Sequence, residues 1–306
     1  MRWGVLGASS RIYAKSLAPA FAAAGHTVTA SSSRDGGSWH PYEDLLADGN
    51  VDAVYIPLPN DLHAELIHRS LDAGKHVLCE KPLTLSPYDT KEVFDHADSA
   101  GLVVLEAYMW PHHPRAQRVL ELAGSGAIGT LQSGTARFSW PMDFGSGDHR
   151  LDHRGAGALF DVGIYCLAPF LLMAGREPVA CSATAVRNRA GIDITMSGWV
   201  DWGAGFSTAF HVSFDAPSSR VLTLSGSDGH VQVPGMFVPG PPEPSQLLVT
   251  TRAGDTVEQC DGSNAYAGMV RHFADVVHGT AQPVFGRLES ERLARLLHAL
   301  HVSTVR

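Results

Sequence analysis

Ala73-Gly74-Lys75-His76-Val77-Leu78-Cys79-Glu80-Lys81-Pro82 is the stretch whose reading decides the fold. Gly74 closes a helix, His76 to Cys79 is a short apolar strand, and Glu80-Lys81-Pro82 falls where that strand runs out. Open parallel sheets bind ligands at this edge, so a lysine there reaches into a crevice. A lone Lys-Pro is ordinarily a surface turn. What sets this one apart is its place after two earlier strand-helix units.

On the N-terminal side, Trp3 to Leu6 reads as a strand, Gly7 to Ile12 as a turn and Ala14 to Ala24 as an Ala-rich helix. That order predicts a dinucleotide-binding opening. The full G-x-G-x-x-G pattern is missing, because Gly7 supplies the tight turn but Ser9 or Ser10 stands where backbone approaches a pyrophosphate. Backbone N-H groups of Ser10, Arg11 and Ile12 at the helix start can still hold phosphate. His26 to Ser33 is the second strand, favoured by its Thr and Val residues. It ends at Ser33-Arg34-Asp35, where an arginine suits the 2'-phosphate of NADP and an acidic residue suits the ribose of NAD. Ser33-Arg34 favours NADP(H), and Asp35 keeps NAD(H) open.

Only Arg34 to His40 separates the second strand from the helix signal at Pro41-Tyr42-Glu43, so residues 34–50 have room for a single crossover into the strand Val51 to Pro57. Pro57-Leu58-Pro59-Asn60 ends that strand and His63 opens the helix Ala64 to Ala73. A helix from Ser86 to Ala100 and a strand from Leu102 to Ala107 complete the first domain, 1–108.

From 109 to 306 the pattern changes. A helix (His112 to Leu122) and an alternating strand (Thr130 to Trp140) precede a polar, Gly-rich loop, Pro141 to Arg154, of the kind that touches substrate, with Arg150 in it. Gly157 to Gly175 reads as a buried helix in which Asp161 and Tyr165, four apart, share one face. Ala180–Val186, Ile194–Trp202, Gly205–Phe214, Arg220–Ser225 and His230–Val233 read as strands of a large, mostly antiparallel sheet. Pro234 to Pro244 is a loop, and Tyr266–His278 and Leu288–His301 are closing helices. The fold class is α/β: a Rossmann-type, doubly wound parallel sheet followed by an α+β domain.

Composition agrees with an ordinary globular protein rather than a disordered chain or a binder of polyanions. At 306 residues the chain exceeds one ordinary core. Lys and Arg number 23 against 31 Asp and Glu, a net charge of -8 with no basic run, which argues against nucleic acid and acidic membranes. Gly157 to Gly175 resembles a membrane span in hydropathy, but Asp161 there costs about 3 kcal/mol at a bilayer centre. Gly4, Gly7, Ser9, Ser10 and Arg11 interrupt what would be the apolar core of a signal peptide. Cys79, Cys166, Cys181 and Cys260 are scattered and read as reduced thiols of a cytoplasmic protein. His112, His113, Asp148, His149, Asp152 and His153 lack a recognisable ligand spacing, so no metal is expected.

The string around Lys81 resembles the signature of the glucose-fructose oxidoreductase, inositol dehydrogenase and MocA family of nicotinamide-dependent dehydrogenases. The resemblance continues in Pro57-Leu58-Pro59-Asn60 with His63, in Glu106-Ala107-Tyr108-Met109-Trp110, and in Asp161 with Tyr165, the tyrosine form of the family's Asp-x-x-x-His/Tyr motif. It implies that Lys81 is catalytic, that the Lys81-Pro82 bond is cis, and that Gly7, Ser9, Ser10, Arg11, Ile12, Ser33, Arg34, Pro57, Leu58, Asn60, His63 and Glu80 lie along the cofactor. It also implies that Tyr165 exchanges a proton with the substrate oxygen while Lys81 lowers its pKa, that Asp161 orients hydroxyls or holds Lys81, and that Trp110 and Arg150 contact substrate. The arginine that often follows the tryptophan is replaced here by Pro111, so the nearest relatives' substrate preference does not carry over. The function implied is hydride transfer at a secondary alcohol or ketone of a sugar, nucleotide sugar, cyclitol or dihydrodiol, in a homo-oligomer joined through the second sheet. A ligand-binding protein without catalysis and an NAD-dependent glycoside hydrolase are the competing readings.

Overall fold

The computed structural model describes residues 1–33, 40–151, 155–235 and 245–304. Two compact units make up the chain: Met1–Met109 with Asn264–Ala294, and Trp110–Ser263 with Arg295–Arg306.

The first unit is built on five parallel strands, β1 (Arg2–Leu6), β2 (Thr27–Ser32), β3 (Ala53–Ile56), β4 (His76–Cys79) and β5 (Val104–Glu106), in the order β2-β1-β3-β4-β5. The helix after β1 runs over 11–23, wound as a π-helix over Tyr13–Leu17 before α1 (Ala18–Ala23). α2 (His40–Ala47), α3 (His63–Asp72) and α4 (Pro87–Ala100) follow in turn. Side chains alternate across β3, so Val54 and Ile56 join Leu45, Leu66, Val77 and Phe94 in one apolar layer. Tyr55 points to the other face, against Phe21 of α1. Each face of a parallel sheet needs such a cover.

Trp3 explains why the chain comes back to this unit after residue 263. Its indole is fully buried between Phe21, at 4.9 Å, and Phe273, at 5.0 Å. Phe273 belongs to α7 (Ala265–Val277), which with the first part of α8 (Arg287–Ser303) counts with the first unit. The sequence pattern places its one boundary after Tyr108.

The second unit opens with α5 (Pro114–Gly124), started by His113, whose Nδ1 accepts the Arg115 N-H. Eight strands then form one sheet: β6 (Leu131–Ser139), β7 (Ala180–Arg187), β8 (Asp193–Gly203), β9 (Phe206–Ser213), β10 (Ser219–Gly226), β11 (Gly229–Pro234), β12 (Ser245–Thr251) and β13 (Gly254–Cys260). Their order is β13-β12-β11-β10-β6-β9-β8-β7, antiparallel except for β6 beside β9. α6 (Ile164–Ala174) lies on one face, where Phe170 fills the space over Gly134: a Cβ there would stand 2.4 Å from its ring. β12 and β13 are an addition to the strands read from sequence. Among the described residues no helix is long and apolar enough to cross a membrane.

Candidate active site

Parallel strands end on the same side, so Gly7, Ser33, Pro57, Glu80 and Glu106 all stand at or just beyond the carboxyl edge of the first sheet. This is the edge at which such sheets take ligands. Gly7 has φ of 119°, and a Cβ on it would come within 2.8 Å of Leu58 Cδ2. A glycine is therefore needed both for the conformation and for the approach of the Pro57-Leu58 loop.

The glycine loop is tied to β2. Gly7 and Ala8 N-H donate to Ser32 O at 2.8 and 2.9 Å, and Ser9 N-H donates to Ser33 Oγ at 2.9 Å. Ser10 N-H donates to Gly7 O. Of the residues expected to hold phosphate, Ser9 thus spends its N-H on Ser33 and Ser10 spends its own inside the loop. Arg11 and Ile12 are the first helical residues, where a helix directs N-H groups outward. A glycine at close approach followed by a helix start fits a dinucleotide pyrophosphate. Arg34, the expected partner of a 2'-phosphate, lies outside the described residues.

Lys81 stands on a turn gripped from two sides. The Lys81-Pro82 bond is cis. His63, fully buried, places Nδ1 2.9 Å from Pro82 O and Nε2 2.8 Å from Leu58 O. Burial lowers the His63 pKa against the pull of those carbonyls, and the Lys81 charge adds to the lowering. The neutral ring has one N-H to give, so its tautomer decides which loop it binds. Glu106 takes the other side: Oε1 accepts the Leu83 N-H at 3.0 Å and Oε2 accepts the Ser290 hydroxyl of α8 at 2.7 Å. Glu80 is held in turn by the buried Tyr55, whose Oη donates to Glu80 Oε1 at 2.7 Å. Burial, then Glu80, pushes the Tyr55 phenol well above its ordinary value, so it stays a donor. Asn60 opens the short turn Asn60–Leu62 that leads into α3.

The second unit supplies another polar group beside aromatic rings. The helix carrying Asp161 and Tyr165 begins with a π-helical turn, Leu159–Gly163, a widening frequent at functional positions. Its start is capped by the buried Asp193, which accepts the Leu159 N-H at 2.8 Å. Arg150 Nε lies 3.3 Å from Asp161 Oδ2, and its guanidinium stands over the Trp140 ring at 5.9 Å. Phe138 continues this aromatic row, with centroids 5.5 Å from Trp140 and 5.6 Å from Tyr165. Arg150, Asp161 and Tyr165, named from sequence, are thus brought together here. Trp110, expected along the substrate, is only 1% exposed and sits in the turn Trp110–His112.

Three residues carry more than the sequence pattern shows. Glu106 was read only as part of a motif, although a glutamate ending an apolar strand is itself a signal. Phe138 and Trp140 were read as an alternating strand without a role. Asp152 and His153 lie outside the described residues, and among those described no group of three or more His, Cys, Asp or Glu is arranged to hold a metal ion.

Comparison with known proteins follows the division of the chain. Residues 2–108 match the oxidoreductase family with NAD-binding Rossmann fold, and residues 116–232 match the GFO/IDH/MocA C-terminal domain. The chain is 34% identical to a D-xylose 1-dehydrogenase (NADP(+)) of Haloferax volcanii, over 99% of this chain and 97% of the other. It is also 34% identical to a dTDP-3,4-didehydro-2,6-dideoxy-alpha-D-glucose 3-reductase of Streptomyces violaceoruber, over 100% of this chain and 94% of that one. A 3-ketoreductase from Actinomadura kijaniata, solved in complex with NADP and TDP-benzene, superimposes with a TM-score of 0.90 at 29% identity, over 99% of this chain and 98% of that one.

Proposed function

Because the chain belongs to the Gfo/Idh/MocA oxidoreductase family, we propose that it is an NADP(H)-preferring enzyme interconverting a secondary alcohol and a ketone on a sugar or nucleotide sugar, with NAD(H) the weaker alternative. The observation that carries this is Lys81 on a doubly gripped turn at the carboxyl edge of a dinucleotide-binding sheet. When bound, the nicotinamide supplies or takes the hydride.

The chain's own residues handle the proton. Lys81 and Tyr165 serve the same oxygen: the ammonium stabilises negative charge on the phenol, whose pKa is ordinarily about 10. In reduction Tyr165 gives its proton to the forming alkoxide, and in oxidation it takes the alcohol proton. Asp161 and Arg150 offer an acceptor and donors to sugar hydroxyls, and Trp140, the half-buried member of the aromatic row, offers an apolar face to a sugar ring or a base. General acid-base help of this kind is worth roughly 100- to 10,000-fold.

The test is NADP(H)-linked absorbance with keto-sugars, nucleotide sugars, inosoles and diols, repeated with Lys81→Ala, Tyr165→Phe and the double variant. Both single variants lose turnover while NADPH fluorescence titrations stay near wild type. The double variant loses little more than the worse single one, as groups acting on one oxygen require. Wild-type rates in either variant refute the roles, and no NADPH binding at millimolar concentration refutes the enzyme.

The open face of the eight-stranded sheet is the proposed homo-oligomer interface. Trp199 is 48% exposed there, paired across the strands with Ser182 and Ala209, and Leu248 stands opposite Val257, both exposed. Four free cysteines, three of them buried, support a reducing compartment, the cytoplasm.

A further inference from the structure

Pro82 C=O and Leu83 N-H are the two ends of one peptide group, the first after Lys81-Pro82. His63 faces its oxygen at 2.9 Å and Glu106 accepts its N-H at 3.0 Å. The peptide group behind the lysine is thus held between a ring nitrogen at its negative end and a carboxyl at its positive end. Glu106 is almost wholly buried and is tied to α8 through Ser290 at 2.7 Å. A buried carboxyl is costly unless it has work to do, and two hydrogen bonds to a turn and a helix are available to neutral residues as well.

We propose that Glu106 is a positioning residue for Lys81, fixing the turn that presents the lysine and placing a counter-charge beside its ammonium. This rests on the reading that Lys81 serves the reaction. Burial pushes the Glu106 carboxyl up to about 7, while the Ser290 hydroxyl, the Leu83 N-H and the Lys81 charge pull it back. The titratable groups facing it are Lys81 and Glu80 on the turn and the buried Cys79 thiol on β4, and from α8 it meets Ser290. A protonated Glu106 keeps its grip, since Oε1 still accepts the Leu83 N-H and Oε2-H donates to Ser290 Oγ, but the counter-charge is gone. Charge and grip are therefore separable. Lysine activity rises with pH through about 7 as the carboxylate forms.

Glu106→Gln tests the charge, because the amide retains both hydrogen bonds with the Ser290 hydroxyl turned to accept. The variant melts within a few degrees of wild type and binds NADPH equally well. Its kcat falls roughly 10-fold, the rate factor of losing about 1.4 kcal/mol of charge stabilisation with the geometry kept, and the rise of kcat through neutral pH disappears. Ser290→Ala, which strips one donor from the carboxylate, moves that rise to higher pH. Independently of turnover, competitive acetic anhydride labelling followed by mass spectrometry of the Lys81 peptide reads several-fold faster acetylation in Glu106→Gln. Unchanged labelling together with a wild-type pH profile overturns the proposal. A wild type without turnover on any sugar overturns the reading of the reaction instead, and labelling still decides whether Glu106 governs the lysine.

Discussion

Arg150 is the ion-pair partner of Asp161, with Nε 3.3 Å from Oδ2. Reading the motif alone left Asp161 to orient hydroxyls or to hold Lys81. The pair gives the carboxylate a fixed orientation and leaves Arg150 held also by Trp140 beneath it and Asp148 at 3.5 Å. Arg150→Ala is expected to raise the sugar KM about 10-fold with little change in NADPH affinity. A double-mutant cycle with Asp161→Asn yields a coupling of about 1 kcal/mol, modest because both groups are partly solvated. A coupling of zero means that the two side chains act separately.

His113 predicts acid sensitivity in the second unit. Its Nδ1 accepts the Arg115 N-H at 3.1 Å at the start of α5, so the ring must be neutral there. Burial, followed by the Arg115 charge, lowers its pKa from 6.5 to about 4. A depressed folded-state value means that stability is fully present above about 6.5 and is lost as pH falls through about 4. The loss is at most roughly 3 kcal/mol by linkage. Urea unfolding at pH 7.5, 5 and 4 measures it. His113→Asn, which keeps an acceptor but does not titrate, shows a smaller acid loss; an identical pH dependence in the variant removes His113 as the cause.

Much of the first unit was legible because its signals are local. A glycine turn after a strand, a Pro-Asn turn before a helix and a Gly-capped helix before Lys81 each fall within a few residues, and the single crossover over 34–50 follows from chain length. Trp3 shows what was not legible: its partner Phe273 lies far down the chain, so α7 looked like part of the second domain. β13 escaped for another reason. Its residues are exposed from Gly254 to Thr256 and at Val257, so the strand lacks the alternation that marks a half-buried one. The sheet also holds it through a side chain no local pattern reveals, as Arg118 of α5 donates to Glu258 at 2.7 and 2.9 Å. In the site, residue types at motif spacing pointed to Lys81, Asp161 and Tyr165. The partners that orient them, Glu106 for the turn and Arg150 for the carboxylate, are matters of three-dimensional neighbourhood.

Trp199 gives the assembly its test. An indole about half exposed in the middle of a strand, between Ser182 and Ala209, is a large apolar group on a face otherwise rich in small polar residues. Trp199→Glu is expected to convert the proposed oligomer into monomers in size-exclusion chromatography with light scattering, with no loss of secondary structure. A wild-type protein that already elutes as a monomer, or a variant that stays associated, removes this face as the interface.

Gly7 separates cofactor binding from the handling of substrate. Its φ of 119° is one that a residue with a Cβ adopts only under strain, at a cost of about 1–3 kcal/mol. The added methyl also meets Leu58 Cδ2 at 2.8 Å. Leu58 cannot retreat freely, because its carbonyl faces His63 Nε2 at 2.8 Å. Gly7→Ala therefore pushes the glycine loop away from the Pro57-Leu58 loop, or pushes Leu58 into the ring that holds Pro82. In the first case NADPH affinity falls at least about 10-fold, as 1.4 kcal/mol of misfit requires, while kcat at saturating cofactor is kept. In the second, kcat falls as well, because the same displacement reaches the Lys81 turn through His63. Fluorescence titration beside steady-state kinetics tells the two apart. An alanine variant with wild-type affinity and wild-type kcat would show that the loop yields elsewhere and that the packing of Gly7 on Leu58 has no part in holding the dinucleotide.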